Sequence, residues 1–216
     1  MPEKIPTRKS QEKLNQNELR VFGKMLSEFN IEQRLTQKPL LVAMVGLVGS
    51  GKSIVARELA QQIKAPVVNS DQIRAELKEL GETSLDGARI YTLAEKLALE
   101  VIHHGGNAVL DSDFIGDVKR SRLDQTAARE KMELRFFQVR CDLDTAIQRV
   151  ISSDPNAVTR IREMVRRMPL HYKWLPEGGG KWVPRDLPFP IMANFSTTDE
   201  GWRNELPEHA QKLLEL

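Results

Sequence analysis

From Pro39 onward the chain alternates short continuous apolar runs with longer stretches in which apolar residues recur every three or four positions. The runs at 40–45, 66–68, 108–110, 134–139 and 190–193 read as strands, because a strand buried on both faces of a parallel sheet shows no polar alternation. After the first run, Val55, Leu59 and Ile63 fall at four-residue steps. A later stretch carries Ile90, Leu93, Ala94, Leu97, Val101 and Ile102 on one side until Gly105 and Gly106 end it. Repeated strand–helix–strand units predict an α/β fold of three layers, with helices on both faces of a mainly parallel five-stranded sheet. Before Pro39 the pattern differs: a polar start with Pro2 and Pro6 gives way to a helical spacing through Leu14, Leu19, Phe22, Met25, Leu26 and Phe29. Residues 1–38 are therefore expected to form an N-terminal helical extension on a main domain of residues 39–216. No internal repeat is visible, and the one biased stretch is the Pro/Gly-rich segment 176–190.

Composition narrows the function classes. The 216 residues include 32 Lys and Arg against 30 Asp and Glu, a net charge of +2, so nothing global calls for a nucleic-acid or membrane surface. The single cysteine, Cys141, cannot build an internal disulfide framework or a metal cluster, and its apolar neighbours make it a small buried hydrophobe. Residues 1–13 lack an apolar leader and no apolar run is long enough to span a bilayer, so a cytoplasmic location is expected.

The chemistry starts at Gly46-Leu47-Val48-Gly49-Ser50-Gly51-Lys52-Ser53, which fits G-x-x-x-x-G-K-[ST] between an apolar strand and an amphipathic helix. Glycines at these positions let successive backbone N–H groups point at phosphate oxygens. Lys52 would reach the β- and γ-phosphates, the Ser53 hydroxyl would coordinate magnesium, and the positive end of the following helix would add to the attraction. The expected nucleotide contacts are Gly46, Val48, Gly49, Ser50, Gly51, Lys52, Ser53 and Ile54, with ATP and Mg2+ as cofactors.

The cradle alone does not choose the reaction. The Asn-Lys-x-Asp motif of GTPases is absent, although Asp113-Phe114-Ile115-Gly116 fits the loose D-x-x-G pattern. Val109-Leu110 is followed by Asp111-Ser112-Asp113 rather than the Asp-Glu pair of an ATP-driven motor. A kinase is supported by Val67-Val68-Asn69-Ser70-Asp71-Gln72-Ile73-Arg74, where a strand ends in a carboxylate and a cation follows three positions later, on the same face of a starting helix. Transfer to an alcohol needs a carboxylate to take the hydroxyl proton and a cation to orient the acceptor. Spacing by itself also allows Ser70 or Asp71 to be a helix cap and Arg74 a solvated helix residue.

Gly49 to Ser53, Ser70-Asp71-Gln72-Ile73-Arg74 and Gly106-Asn107-Ala108-Val109-Leu110-Asp111, in that order, resemble the small P-loop kinases grouped as zeta-toxin-like and AAA-33-type ATP-binding proteins, relatives of polynucleotide 5′-hydroxyl kinases and chloramphenicol phosphotransferase. The resemblance runs over about residues 39–216 and implies an adenylate-kinase-like P-loop kinase domain. It implies Asp71 as general base, Arg74 as an acceptor contact and Asp111 as a carboxylate acting on magnesium. It also implies a basic lid after the fourth strand and its helix, a position Arg149 fits. The second lid arginine is replaced by Ile151-Ser152-Ser153-Asp154, with Arg160, Arg162, Arg166 and Arg167 following. Asp113 departs from the family pattern. It reads either as a second carboxylate facing the nucleotide or as a cap for a helix beginning near Asp117.

Weaker candidates are Asn194, just past the last strand, either near the adenine or a structural choice in a turn; Gly178-Gly179-Gly180-Lys181, an anion nest or a flexible loop; and Trp174 and Trp182, lining an acceptor pocket or pinning that loop. His103 and His104 are expected to end a helix. The functional expectation is γ-phosphoryl transfer to a hydroxyl of a small molecule. The alternatives are a nucleic-acid 5′-hydroxyl kinase whose stretch 160–173 tracks phosphates, and a non-catalytic ATP-binding regulator.

Overall fold

The computed structural model describes residues 13–153 and 157–216; Pro2, Pro6 and Asp154 lie outside them. Five strands form a parallel sheet in the order β2-β3-β1-β4-β7: β1 (Leu40–Val45), β2 (Val67–Asn69), β3 (Ala108–Asp111), β4 (Glu133–Arg140) and β7 (Ala193–Ser196). The central strand, β1, is buried along its whole length. Each fully buried aliphatic side chain there contributes roughly 1.5–3 kcal/mol.

Two-residue periodicity sorts β1 between two cores. Leu41, Ala43 and Val45 join Val68, Leu110 and Phe136 under α1 (Gln16–Glu28), α3 (Ser70–Glu79), α4 (Gly87–His103) and α5 (Asp117–Glu130). Leu40, Val42 and Met44 join Phe137, Val139 and Phe195 under α2 (Lys52–Gln62) and α8 (Trp202–Leu214). A third cluster, of Leu47, Cys141, Ala146, Val150, Met164 and Tyr172, packs α6 (Leu143–Ser153) and α7 (Ala157–His171) beside the loop that leaves β1. The result is a three-layer α/β fold, as the alternating pattern predicted.

Local chemistry sets the helix starts. The Asn15 side chain and Glu18 form a reciprocal capping box on α1, and Glu18 also accepts from Arg89 Nε of α4 at 2.7 Å. Val21 and Met25 of α1 are buried in the α3/α4 core. On α3 the cap is Asn69, whose side-chain Oδ1 accepts from Asp71 N at 2.8 Å and Gln72 N at 2.9 Å, so Ser70 and Asp71 are freed from that role.

Two elements depart from expectation. The last strand starts at Ala193 rather than 190, because Pro188 and Pro190 offer no N–H to a ladder. Pairing begins only when Met192 N donates to Phe136 O at 2.9 Å. Asn194 consequently lies on the exposed face of β7 and not in a turn. The glycine run is the tip of an antiparallel hairpin, β5 (Tyr172–Leu175) and β6 (Lys181–Pro184), in which Trp174 and Trp182 pair edge to face at 5.5 Å.

Candidate active site

Residues 46–51 turn from β1 into α2 at the carboxyl edge of the sheet, the edge at which open α/β sheets bind their ligands. Gly49 and Gly51 adopt φ of +82° and +85°, and a Cβ on Gly49 would come within 2.4 Å of Ala146 O. Neither position tolerates a side chain, and the loop keeps the backbone exposed to an incoming anion. The Ser50 hydroxyl is buried, with no hydrogen-bond partner among the described residues. A buried, orphaned donor in a ring of amides at a helix N-terminus fits a phosphate oxygen. Lys52 Nζ donates to Leu47 O at 3.0 Å, folded back on the loop that would present it to a phosphate. Val48 packs its side chain into the α6/α7 cluster, leaving its backbone to the loop, while Ser53 and Ile54 are exposed at the start of α2.

The far wall of the loop is stapled by Thr197, one residue past β7, which no motif in the sequence singles out. Its hydroxyl donates to Ser50 O at 2.7 Å. Arg149 Nη1 donates to Thr197 Oγ1 at 2.9 Å and Nη2 to Thr197 O at 2.6 Å, with Gly49 O 3.4 Å from Nη1. Arg149 thus stands at the loop's edge with its guanidinium against loop backbone.

On the β3 side, two acids have different roles. Asp111 ends β3 and takes a hydrogen bond from Asn69 Nδ2, while the Ser70 and Ser112 hydroxyls touch, so the ends of β2 and β3 are clipped together. Asp113 is not the helix cap that was one expectation: α5 is capped by Gly116, without a side-chain bond. Instead Asp113 Oδ1 accepts from Gly46 N at 3.2 Å and Ile115 N at 3.3 Å, and Oδ2 faces His171 Nε2 at 2.9 Å and the Arg167 guanidinium. Burial alone would push Asp113 up. The His171 hydrogen bond and charge, then Arg167 and Lys52, more than reverse that and hold it at about 2. Asp113 therefore ties the phosphate loop to α7. Arg167 and His171 lie four apart on one helical face, the spacing that could have revealed them together.

Asp71 and Arg74 share a face of α3, with Nε 3.8 Å from Oδ1 and the Asp71 side chain 69% exposed. This carboxylate opens to solvent. Among the described residues no group of three or more His, Cys, Asp or Glu could hold a metal. A magnesium ion held by the Ser53 hydroxyl and Asp111 would draw its other ligands from nucleotide oxygens and water, the usual arrangement for that ion. The residues present fit a magnesium nucleotide. The stretch 160–173 is less basic than its sequence reads, since Arg166 and Arg167 both pair with Glu163 and Arg167 also pairs with Asp113.

The family model AAA_33, an AAA domain, matches residues 41–164, more than half of the chain, and the chain belongs to that family. No curated protein matches it significantly. Among solved structures it resembles a Chloroflexus aurantiacus j-10-fl protein provisionally named a kinase, with a TM-score of 0.59 at 16% identity over 81% of this chain and 98% of that one. The Mycobacterium tuberculosis APS kinase, solved with AMPPNP and APS, gives 0.53 at 16% identity, covering 82% and 96%. A Sinorhizobium meliloti 1021 gluconokinase gives 0.50 at 14%, covering 82% and 91%. At these identities the likeness establishes the fold, that of the small P-loop kinases.

Proposed function

We propose that this member of the AAA_33 family is an ATP- and magnesium-dependent phosphotransferase that moves the γ-phosphoryl group of ATP to a hydroxyl of a small-molecule acceptor. The observation that carries the reading is the phosphate loop itself: a glycine-enforced ring of amides, with Lys52 beside a buried Ser50 hydroxyl that has no partner among the described residues. In this reading the loop amides and Lys52 grip the triphosphate. Ser53 and Asp111 hold magnesium, which when bound supplies neutralising charge at the phosphates. Asp71 takes the proton of the acceptor hydroxyl as its oxygen bonds to the γ-phosphorus and the bond to the bridging oxygen breaks, releasing ADP. Arg74 orients the acceptor, and Arg149 offsets charge spreading over the transferring group.

We take residues 39–216 as the kinase domain and residues 1–38 as an extension, of which α1 buttresses α3 and α4. The cytoplasm, where ATP is held, is the compartment this reading assigns. There Cys141, whose pKa is raised by burial, stays a thiol. A screen for transfer of labelled γ-phosphate to pooled metabolites and to 5′-hydroxyl oligonucleotides tests the proposal. Labelled small molecules are the expected product. Label on the oligonucleotide alone, or no magnesium-dependent nucleotide binding, would overturn it.

A further inference from the structure

Beside the Asp71–Arg74 pair lies a group of charges that the transfer step does not use. Lys119, in the first turn of α5, places its ammonium 3.2 Å from the centroid of the Tyr91 ring of α4. That contact satisfies its charge in part, and none of its three N–H donors. Among the described residues Lys119 forms no ion pair, and the nearby acids are already taken. Asp113 is held by His171 and Arg167, and Glu163 by Arg166 at 2.8 Å and Arg167 at 3.5 Å. Arg167 and Arg74 are both near enough to the Tyr91 hydroxyl to act on it electrostatically. Three helices, α3, α5 and α7, thus bring cations to one tyrosine. Burial first, and then the charge of Arg167, push Lys119 down to about 8, the sign of a cation short of an anion. The charges acting most strongly on it belong to Arg167, Asp113, Glu163 and Arg166, and none comes from the phosphate loop.

We propose that Lys119, with Arg74 and Arg167, anchors an oxyanion carried by the acceptor itself: a carboxylate, sulfate ester or phosphate ester on the molecule whose hydroxyl is phosphorylated. This rests on the kinase reading above. It specifies an acidic acceptor with its hydroxyl at Asp71 and its anion against α5, and sets neutral polyols aside. A half-buried cation with no acid to pair with gains most from a ligand that brings the missing charge.

The test titrates sulfate, phosphate and acetate, at ionic strength held constant with sodium chloride, into the full chain saturated with magnesium and AMP-PNP, following the thermal midpoint. Wild type and Lys119→Met, which keeps the apolar stem over Tyr91, are compared. At least one oxyanion should stabilise the wild type saturably, with apparent affinity weakened about tenfold in Lys119→Met, equal to 1.4 kcal/mol, and recovered in Lys119→Arg. The anion that works sorts carboxylate from sulfate and phosphate. Equal titrations in wild type and Lys119→Met, or no saturable response, would overturn the subsite. So would a response present only without nucleotide and lost in Lys52→Ala, which puts the anion on the phosphate loop. Failure of AMP-PNP to raise the midpoint with magnesium is read separately and sinks the kinase reading instead.

Discussion

The two halves of the candidate site are built by different means. The phosphate side is made of backbone: eight contiguous residues, two of them glycines at positive φ, form the cradle almost unaided. The acceptor side proposed above draws on side chains instead: Asp71 and Arg74 from α3, Tyr91 from α4, Lys119 from α5, and Arg167 and His171 from α7. Asp113 joins them, with one oxygen on Gly46 and the other on α7. A backbone site is robust to side-chain change and common to many chemistries, whereas a side-chain site sets the acceptor.

Breaking the acceptor side at its reactive point should give the largest effect. Asp71→Asn is expected to lower kcat by about 10²–10⁴ while ATP affinity holds within about twofold, measured by steady-state kinetics and calorimetry. Transfer at the normal rate would show that Asp71 is not the base. Breaking the joint comes next: Asp113→Asn strips a carboxylate from Arg167 and His171 and should cost about 3 kcal/mol in urea unfolding, with weaker nucleotide binding as α7 loosens from the loop.

Acid sharpens the same point. The Asp113 pKa in the fold, about 2, lies below its ordinary value of 3.8, so the stabilisation is complete above that ordinary value and is lost as pH falls towards 2. On the order of 2 kcal/mol should disappear between pH 5 and 2 in the wild type relative to Asp113→Asn, a difference that isolates this acid from the other carboxylates. The smallest effect is expected away from both halves. Lys24→Ala removes an ion pair to Glu76 on the outer face of α1 and α3 and should leave the melting midpoint and kcat unchanged within error.

The same contrast explains what the sequence reveals. β1 is legible to the residue, and β2, β3 and β4 to within one or two, because a doubly buried strand is an apolar run whatever its neighbours. The run at 190–193 misleads by about three residues, since apolar content and pairing ability diverge at a proline. The β5–β6 hairpin is missed because its residues are half exposed and carry neither an alternating nor a continuous apolar signature. The cradle is legible because its spacing is its geometry. Asp113 was open to misreading as a cap because its partners lie 54 and 58 residues away. Lys119 and Tyr91 sit in ordinary amphipathic helices, and only the packing of α4 on α5 brings them into contact.

All of this chemistry depends on the loop from Gly46 to Ser53 gripping a magnesium triphosphate. Calorimetric titration of ATP into the full chain, with magnesium and with EDTA, tests it most directly when run on wild type beside Lys52→Ala. Saturable, magnesium-strengthened binding that Lys52→Ala abolishes or strongly weakens is the predicted result. No affinity for any magnesium nucleotide in the wild type, or equal affinity in both proteins, would contradict it.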